Sequence, residues 1–163
     1  ELFRSVRVHG QGSDRYENVR LGLTGRLDAL QAAVLLGKLD IFVDELTARD
    51  RIAARYSRDI SARALGLTTP YVAAGMTSAW AQYSILTRDS AHRTACRESL
   101  QAAGIPSMIY YPKPLHLQPV FSGLGYRAGD FPVAEDCAAR ILSLPMHPYL
   151  EAASQDRVVS ALV

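Results

Sequence analysis

The sequence predicts an α/β chain in which a long helix is followed by a small sheet covered by helices. Apolar residues recur at helical spacing from Leu27 onward, which indicates the long helix. The stretch 80–87 alternates and is rich in aromatic and branched residues, as a half-buried strand is. Glycines and prolines divide the remainder into short helical and extended segments, and packing helices on a sheet buries both kinds of element.

Composition and charge limit the possible function classes. The 163 residues are 48% hydrophobic and 21% charged, and 18 basic residues against 16 acidic ones leave a net charge of +2. This near-neutral balance excludes a polybasic nucleic-acid or membrane tail as the main activity. The aliphatic patches are too short to span a bilayer and no leader is recognisable, so we expect a cytoplasmic protein. Its two cysteines, Cys96 and Cys137, are expected to be buried free thiols.

The first two segments are a loop with glycines and the long helix. Residues 1–26 hold four glycines and are predicted to form a short extended piece followed by loop. The helix is predicted over residues 27–65, as one helix or as two with a bend, with Gly66 as the stop. An apolar stripe at i, i+4 and i+8 predicts the buried face of its second half, formed by Ile52, Tyr56 and Ile60.

Residues 66–163 alternate between strand and helix patterns and are predicted to form a small α+β domain. The predicted elements, in chain order, are a strand over 80–87, a helix over 90–103 ended by Gly104, a strand over 105–111, a helix from Pro132 to about Leu142, and a last helix capped by Ser154. A rigid loop with three prolines separates the second strand from the helix at Pro132.

The loop 22–28 is the first candidate binding site. It presents backbone N–H groups and the Thr24 hydroxyl at a helix N-terminus, with Arg26 in the first turn. That combination favours an anion, and Arg26 can clamp a carboxylate or a phosphate with two hydrogen bonds. The alternative is that Arg26 pairs with Asp28 or with a nearby carbonyl, and spacing alone leaves the two interpretations equal.

The second candidate is the proline-stiffened loop that follows the predicted strand at 105–111. Tyr110, Tyr111 and His116 carry polar tips on aromatic rings, which suit a sugar or a nucleotide. The alternative is that one of the two tyrosines alternates into the core. The four histidines are scattered singly, without metal-ligand spacing or a carboxylate cluster, so no metal site is expected.

Several blocks of sequence occur together in a characteristic order. They are His9-Gly10, the stretch 20–33, Lys38-Leu39, Gly104-Ile105-Pro106, Tyr111-Pro112 with Pro114-Leu115-His116, and Leu144–Pro148. In this order they resemble the sugar-nucleotide aminotransferases of the DegT/DnrJ/EryC1/StrS family over the whole chain. The resemblance is greatest to the bacterial subgroup that aminates the 3-keto position of a UDP-linked N-acetylated uronic acid for surface polysaccharide.

The resemblance implies an enzyme of fold type I that uses pyridoxal 5′-phosphate (PLP). In that family a lysine of the large domain binds PLP and lies before the segment matched by His9-Gly10, so neither Lys38 nor Lys113 matches it. The chain is therefore expected to be the C-terminal part of a longer enzyme, without the catalytic lysine and inactive alone. The implied domains are the end of the large PLP-binding domain at 1–26, a linking helix at 27–65 and the small C-terminal domain at 66–163.

The resemblance also implies roles for individual residues. Thr24 stands where the family usually has an asparagine that reaches the cofactor phosphate of the partner subunit, and a threonine hydroxyl donates one hydrogen bond there. Arg26 matches the arginine that meets the substrate carboxylate in the uronic-acid subgroup. Tyr111 and His116 match residues on the sugar-nucleotide side, and Tyr110 stands where the subgroup tends to have histidine. Active sites that form between two subunits imply a homodimer.

The reaction implied for the intact enzyme moves an amino group, expected to come from glutamate, to a keto-sugar nucleotide. Two alternatives remain open. One is a non-catalytic module for sugar-nucleotide binding or dimerisation, which the missing lysine and Thr24 favour. The other is a PLP-dependent sugar dehydratase of the same family, which has no lysine anchor.

Overall fold

The computed structural model describes residues 1–14 and 16–163, and its internal contacts divide the chain into two units, 1–43 and 44–163. Its elements, in chain order, are α1 (Leu2–Val6), α2 (Ala29–Ser61), β1 (Tyr83–Leu86), α3 (Ser90–Ala102), two 3-10 turns (Leu115–Leu117 and Pro119–Leu124), α4 (Pro132–Arg140), β2 (Ile141–Leu144) and α5 (Ala152–Ser160). The α/β class and the long helix are confirmed, whereas the division into three domains stays a prediction. None of the helices described has the length and apolar character that a membrane span requires.

In the first unit, backbone hydrogen bonds hold the loop after α1 against that helix. Leu23 donates its N–H to the carbonyl of Val6 at 2.8 Å, and His9 donates its N–H to the carbonyl of Leu23 at 3.2 Å. Gly10 has a φ of +75°, and a Cβ added to Gly22 would collide with the backbone nitrogen of Gly10. The two segments of this loop therefore meet at a pair of glycines.

In the second unit, the second half of α2 contributes to a core shared with the sheet. The strands β1 and β2 pair antiparallel, with Tyr83 opposite Leu144 and Leu86 opposite Ile141. The predicted buried stripe of α2 is confirmed, since its members are at most 7% exposed: Ile52, Tyr56 and Ile60. Side chains of α3 and α5 complete the core, among them Cys96, Leu100, Val158 and Val159.

Two tyrosines at the centre of this core are buried together with their hydroxyl groups. The rings of Tyr56 and Tyr83 lie 5.0 Å apart, centroid to centroid. The Tyr83 hydroxyl lies 2.8 Å from the Ser57 hydroxyl, and the Tyr56 hydroxyl donates to the Pro145 carbonyl at 3.2 Å. Burial raises the pKa of both phenols, that of Tyr83 to about 12. Both hydroxyls therefore remain protonated at neutral pH.

The first predicted strand is confirmed in a shorter form, but the second is wrong. β1 occupies the centre of the stretch 80–87. Within the described residues 105–111, Met108 alone pairs with the sheet, and it exchanges two backbone hydrogen bonds with Ser143 at 3.1 and 2.7 Å. Pro106 lacks a backbone N–H donor at the next hydrogen-bonding position, two residues before Met108, which ends the ladder on that side.

The helix α4 ends before the predicted Leu142, because the chain changes from helix to strand at Arg140. The Arg140 carbonyl accepts hydrogen bonds from the N–H and the hydroxyl of Thr87, at 3.1 and 2.9 Å. In return, the Arg140 guanidinium donates to the Thr87 carbonyl at 2.8 Å. These contacts join Arg140 to the end of β1, so tertiary pairing overrides a sequence pattern that also fits a helix.

The remaining two helices test the capping predictions. α3 is confirmed, with Asp89 at its N-cap accepting the His92 N–H at 2.7 Å, and this hydrogen bond lowers the pKa of the Asp89 carboxyl. Gly104 follows α3 with a φ of +69°, as predicted. For α5 the predicted cap is wrong, because the extended backbone of Glu151 starts the helix and places Ser154 inside it.

Replacing Tyr83 by Phe should make the free energy of unfolding less sensitive to alkaline pH. Burial raises the pKa of the Tyr83 phenol from 10.0 to about 12 in the folded chain, so deprotonation favours the unfolded state. This contribution is complete below pH 10 and is lost as the pH rises through about 12, which amounts to about 1 kcal/mol at pH 11. Urea denaturation at pH 8 and pH 11 measures the difference.

The control is Tyr71→Phe, because the Tyr71 side chain is 84% exposed. This variant should lose as much stability between the two pH values as the unmodified chain. A loss of the same size in Tyr83→Phe would contradict the role of the buried phenol.

Candidate functional site

A pocket of about 620 Å³ in the second unit lies between the loop 110–118 and one face of α4. Its lining is Tyr110, Tyr111, Lys113, Pro114, Leu115, His116, Gln118, Phe131, Ala134, Cys137, Ala138 and Ile141. The pocket has the size and the mainly apolar wall of a small-molecule site. It brings together three of the five predicted binding residues, Tyr110, Tyr111 and His116, whose binding roles stay predictions.

His116 is a largely enclosed polar side chain of this pocket. Its side chain is 8% exposed, and its Nε2 lies 3.0 Å from Oε1 of Glu135 in the first turn of α4. Its ring packs against Phe131, with 4.8 Å between the centroids. The pKa of the Glu135 carboxyl is lowered, chiefly because it accepts the Gly129 N–H at 2.8 Å. An ionised carboxylate therefore faces the imidazole.

The two tyrosines and Lys113 form the more open side of the pocket. The peptide bond between Tyr110 and Tyr111 is cis, and their rings meet edge to face at 5.6 Å. Tyr111 is 70% exposed and Tyr110 is half-buried, so neither belongs to the core cluster. Lys113 is exposed, and its carbonyl accepts a hydrogen bond from the Gln118 amide at 3.4 Å. The open side thus combines two phenols with one ammonium group.

Thr24, the predicted phosphate contact, lies in the first unit. Its backbone forms an antiparallel bridge with Val8, and its hydroxyl lies 3.4 Å from Nε2 of His9. Gly25 donates its N–H to the Arg7 carbonyl at 2.8 Å and so holds the next residue of the loop. The Thr24 side chain is exposed, and its hydroxyl has one donor to offer to a ligand.

Arg26, the predicted carboxylate clamp, is exposed in the same loop; its predicted place in the first turn of the helix is wrong, because α2 begins only at Ala29. The Asp28 carboxylate accepts the Leu30 N–H at 2.8 Å and so caps α2. In the part of the chain that the structure describes, the Arg26 guanidinium makes no hydrogen bond or ion pair, so the alternative pairing with Asp28 is not found. The role of Arg26 toward a carboxylate stays a prediction.

The donor set of this chain fits one contact to a PLP phosphate group. The exposed Thr24 hydroxyl is such a donor, and a loop held by backbone hydrogen bonds keeps it in place. Of the two lysines, Lys38 lies on the first half of α2 and Lys113 lines the pocket. Over residues 1–14 and 16–163, no three His, Cys, Asp or Glu side chains come together as a metal site.

Two residues of the pocket region escaped prediction from the sequence. Phe131 lines the pocket, and Glu135 supports it through His116. The position of Glu135 in the first turn after Pro132 indicates only a carboxylate that suits a helix N-terminus. Its contact with a residue 19 positions earlier has no periodic signal, because it depends on how the intervening loop folds.

The sequence matches the model of the DegT/DnrJ/EryC1/StrS aminotransferase family over residues 1–163. It is similar to the UDP-2-acetamido-2-deoxy-3-oxo-D-glucuronate aminotransferase of Pseudomonas aeruginosa, with 40% identity over 159 residues. The aligned part covers 98% of this chain and 42% of that relative. The chain thus spans about two-fifths of the length of this curated relative.

Solved structures of aminotransferases share the fold of this chain. A DegT/DnrJ/EryC1/StrS aminotransferase from Brucella abortus superposes with a TM-score of 0.85 and 49% identity, over 99% of this chain and 42% of that one. DesV of S. venezuelae, solved in complex with a ketimine intermediate, superposes with a TM-score of 0.82 and 32% identity. That match covers 97% of this chain and 41% of DesV.

The two cysteines should react at very different rates with a thiol reagent. The prediction that both are buried is confirmed for Cys96 and wrong for Cys137, which is half-buried and lines the pocket. Burial also raises the pKa of the Cys96 thiol, which lowers its thiolate fraction. Reaction with Ellman's reagent in native buffer should therefore label one thiol per chain quickly and the other slowly.

Two serine variants assign the fast and the slow phase of thiol labelling to the two cysteines. Cys137→Ser should remove the fast phase, and Cys96→Ser should remove the slow one. Loss of the fast phase in Cys96→Ser would contradict the assignment of Cys137 to the pocket wall.

Proposed function

Because the chain belongs to the DegT/DnrJ/EryC1/StrS aminotransferase family, we propose that its protein aminates a keto-sugar nucleotide. The proposed substrate is a UDP-linked N-acetylated 3-keto-uronic acid, used for surface polysaccharide. The observation that carries this choice is Arg26, which is exposed and makes no ion pair with any described residue, in a chain 40% identical to an aminotransferase of a UDP-linked 3-oxo-glucuronate. The proposal concerns the whole protein, because this chain aligns with only 42% of that relative's length.

The proposed cofactor is PLP. When bound, it supplies the group that stores the amino group between the donor, expected to be glutamate, and the keto sugar. The Thr24 hydroxyl donates one hydrogen bond to its phosphate. Lys38 and Lys113 do not match the lysine that binds PLP in this family, so residues 1–163 alone are proposed to be inactive.

Arg26 is proposed to bind the carboxylate of the uronic acid. A guanidinium presents two parallel N–H donors to the two oxygens of a carboxylate, which fixes the orientation of the sugar as well as binding it. It is consistent with this proposal that Asp28, two residues further along, caps α2 and is not seen to pair with Arg26 among the described residues. A substrate with an uncharged group at that position loses this contact.

The pocket of the second unit is proposed, independently of Arg26, to bind polar and aromatic groups of a sugar nucleotide. The phenols of Tyr110 and Tyr111 offer aromatic surface and hydroxyl groups, and His116 offers a ring nitrogen to the polar groups of the ligand. Lys113 brings a positive charge to the mouth of the pocket, where it suits the diphosphate of a nucleotide sugar.

A homodimer in the cytoplasm is also part of the proposal. Its support is the apolar surface on the first half of α2, where five side chains are between 62% and 80% exposed: Leu30, Val34, Leu36, Leu39 and Val43. Apolar surface of this extent is typical of a region that another protein surface covers. The mass of the protein in solution, measured by light scattering, tests the dimer.

Arg26→Ala should reduce kcat/KM of the full-length enzyme for the uronic acid far more than for a neutral sugar. Loss of two charge-assisted hydrogen bonds is worth about 1.5–3 kcal/mol, a reduction of roughly tenfold to 150-fold. The loss should be mainly in KM, since the carboxylate is bound equally before and during the reaction. Steady-state kinetics with the 3-keto-uronic acid and with its hydroxymethyl analogue measure the ratio.

The matched control is Arg4→Ala, an exposed arginine on α1. This variant should leave kcat/KM for both substrates unchanged. If Arg26→Ala slowed both substrates by the same factor, the carboxylate contact would be ruled out.

The 163-residue chain mixed with one equivalent of PLP should form no specific lysine adduct. After borohydride reduction, mass spectrometry should find no stoichiometric modification, because neither lysine stands at the position that binds PLP in the family. The variants Lys38→Arg and Lys113→Arg identify any site that does react. A visible absorption band together with a stoichiometric adduct at either lysine would contradict the proposed inactivity.

A further inference from the structure

We propose that Glu135 is a positioning residue that holds the His116 imidazole with a hydrogen on Nε2, so that in the neutral imidazole Nδ1 is the acceptor left for a ligand. This inference deepens the proposed function, because it assigns to the pocket wall a hydrogen-bond acceptor at a defined place. The group that such an acceptor recognises is a hydroxyl or amide N–H of the sugar nucleotide.

The first step concerns the direction of the hydrogen bond. Hydrogen bonds hold the Glu135 carboxyl in its ionised form, and an ionised carboxylate only accepts. Since Nε2 of His116 lies 3.0 Å from Oε1 of Glu135, the hydrogen must be on Nε2. In the described chain, Nδ1 of His116 takes part in no hydrogen bond.

The second step concerns the rigidity of the carboxylate. Oε1 of Glu135 accepts three hydrogen bonds, from His116, from the Gly129 N–H at 2.8 Å and from the Phe131 N–H at 3.4 Å. Oε2 accepts a further, longer one from Gly129 at 3.1 Å. The carboxylate is thus fixed to the loop before α4, where the helix N-terminus also favours its charge.

The third step concerns the faces of the imidazole. Phe131, whose N–H is bound by Glu135, packs its ring 4.8 Å from that of His116, and Tyr126 packs on Phe131 at 5.1 Å. One loop therefore restrains both the edge and one face of the imidazole. With the ring held in this way, a change of tautomer requires loss of the Glu135 contact rather than a rotation of the side chain.

A competing interpretation is that Glu135 merely secures the loop to α4. Its bonds to the Gly129 and Phe131 N–H groups serve that purpose whatever the state of His116. The two interpretations differ in what removal of the carboxylate does to His116 and in whether its effect on ligand binding requires His116.

The first test reads the tautomer directly in the full-length protein. Two-bond ¹H–¹⁵N correlations of ¹⁵N-histidine-labelled protein distinguish hydrogen on Nε2 from hydrogen on Nδ1, and His116→Asn assigns the signal among the four histidines. We expect the Nε2–H form in the unmodified protein and a mixture of forms in Glu135→Ala. Hydrogen on Nδ1, or an unchanged tautomer in Glu135→Ala, overturns the proposal.

Two variants make this test specific. Glu135→Gln should keep the Nε2–H form, because an amide oxygen replaces Oε1, where three donors converge. Asp136→Ala removes the neighbouring carboxylate, which pairs with Arg140 on the same helix and is not part of the pocket lining, and should change nothing at His116. Loss of the Nε2–H form in Asp136→Ala would mean that any disturbance of α4 suffices, which also overturns the proposal.

The second test is a double-mutant cycle on ligand binding. Calorimetry with UDP-N-acetylglucuronic acid gives Kd for the full-length protein, Glu135→Ala, His116→Ala and the double variant. In the protein with His116 present, Glu135→Ala should raise Kd roughly threefold to tenfold. In the His116→Ala background the same substitution should leave Kd unchanged. The same factor in both backgrounds would indicate a purely structural role and refute the coupling.

The two tests separate failure of this inference from failure of the proposed function. If the unmodified protein does not bind UDP-N-acetylglucuronic acid, the proposed substrate class fails. The tautomer measurement involves no ligand, so it still decides whether Glu135 positions His116.

Discussion

The packing of the second half of α2 against β1 is the interaction on which the second unit depends. Tyr56 and Tyr83 lie fully buried at this contact. The Tyr56 hydroxyl donates to the Pro145 carbonyl, and the Tyr83 hydroxyl bonds to the Ser57 hydroxyl. Burying a phenol hydroxyl without a partner would destabilise the fold by about 1–3 kcal/mol. Among the described residues, every buried side-chain nitrogen and oxygen atom has a hydrogen-bond partner, so the contact is both apolar and satisfied.

The same core determines where the pocket lies. Because α4 passes into β2 without a loop, the pairing of β2 with β1 fixes the end of α4, and Arg140 locks this junction to Thr87. Arg93 of α3 donates to the Ala138 carbonyl at 2.8 Å and holds the helix from its other side. The face of α4 that lines the pocket is thus placed by the sheet. The loop 110–118 forms the opposite wall of the pocket.

The sequence predicted the features that depend on local periodicity and missed those that depend on pairing. The long helix and its buried stripe follow from a 3.6-residue repeat, which any partner surface preserves. The segment Ile141–Leu144 continues the apolar pattern of α4, so periodicity alone does not separate it from a helix. Likewise, the resemblance identified His116, but Glu135 lies 19 residues away and meets it only in the folded loop.

The unequal use of arginine and lysine follows from the same structure. The chain has 16 arginines and two lysines, and several arginines bind backbone carbonyls between elements: Arg49 to Trp80, Arg63 to Val159, Arg93 to Ala138 and Arg140 to Thr87. A guanidinium has five donors in a plane and can join two chain segments, whereas an ammonium group is a compact, hydrated charge. Arginines that join elements are committed to the fold. The cation of the pocket wall is Lys113, and the proposed carboxylate contact, Arg26, bonds to no other element among the described residues.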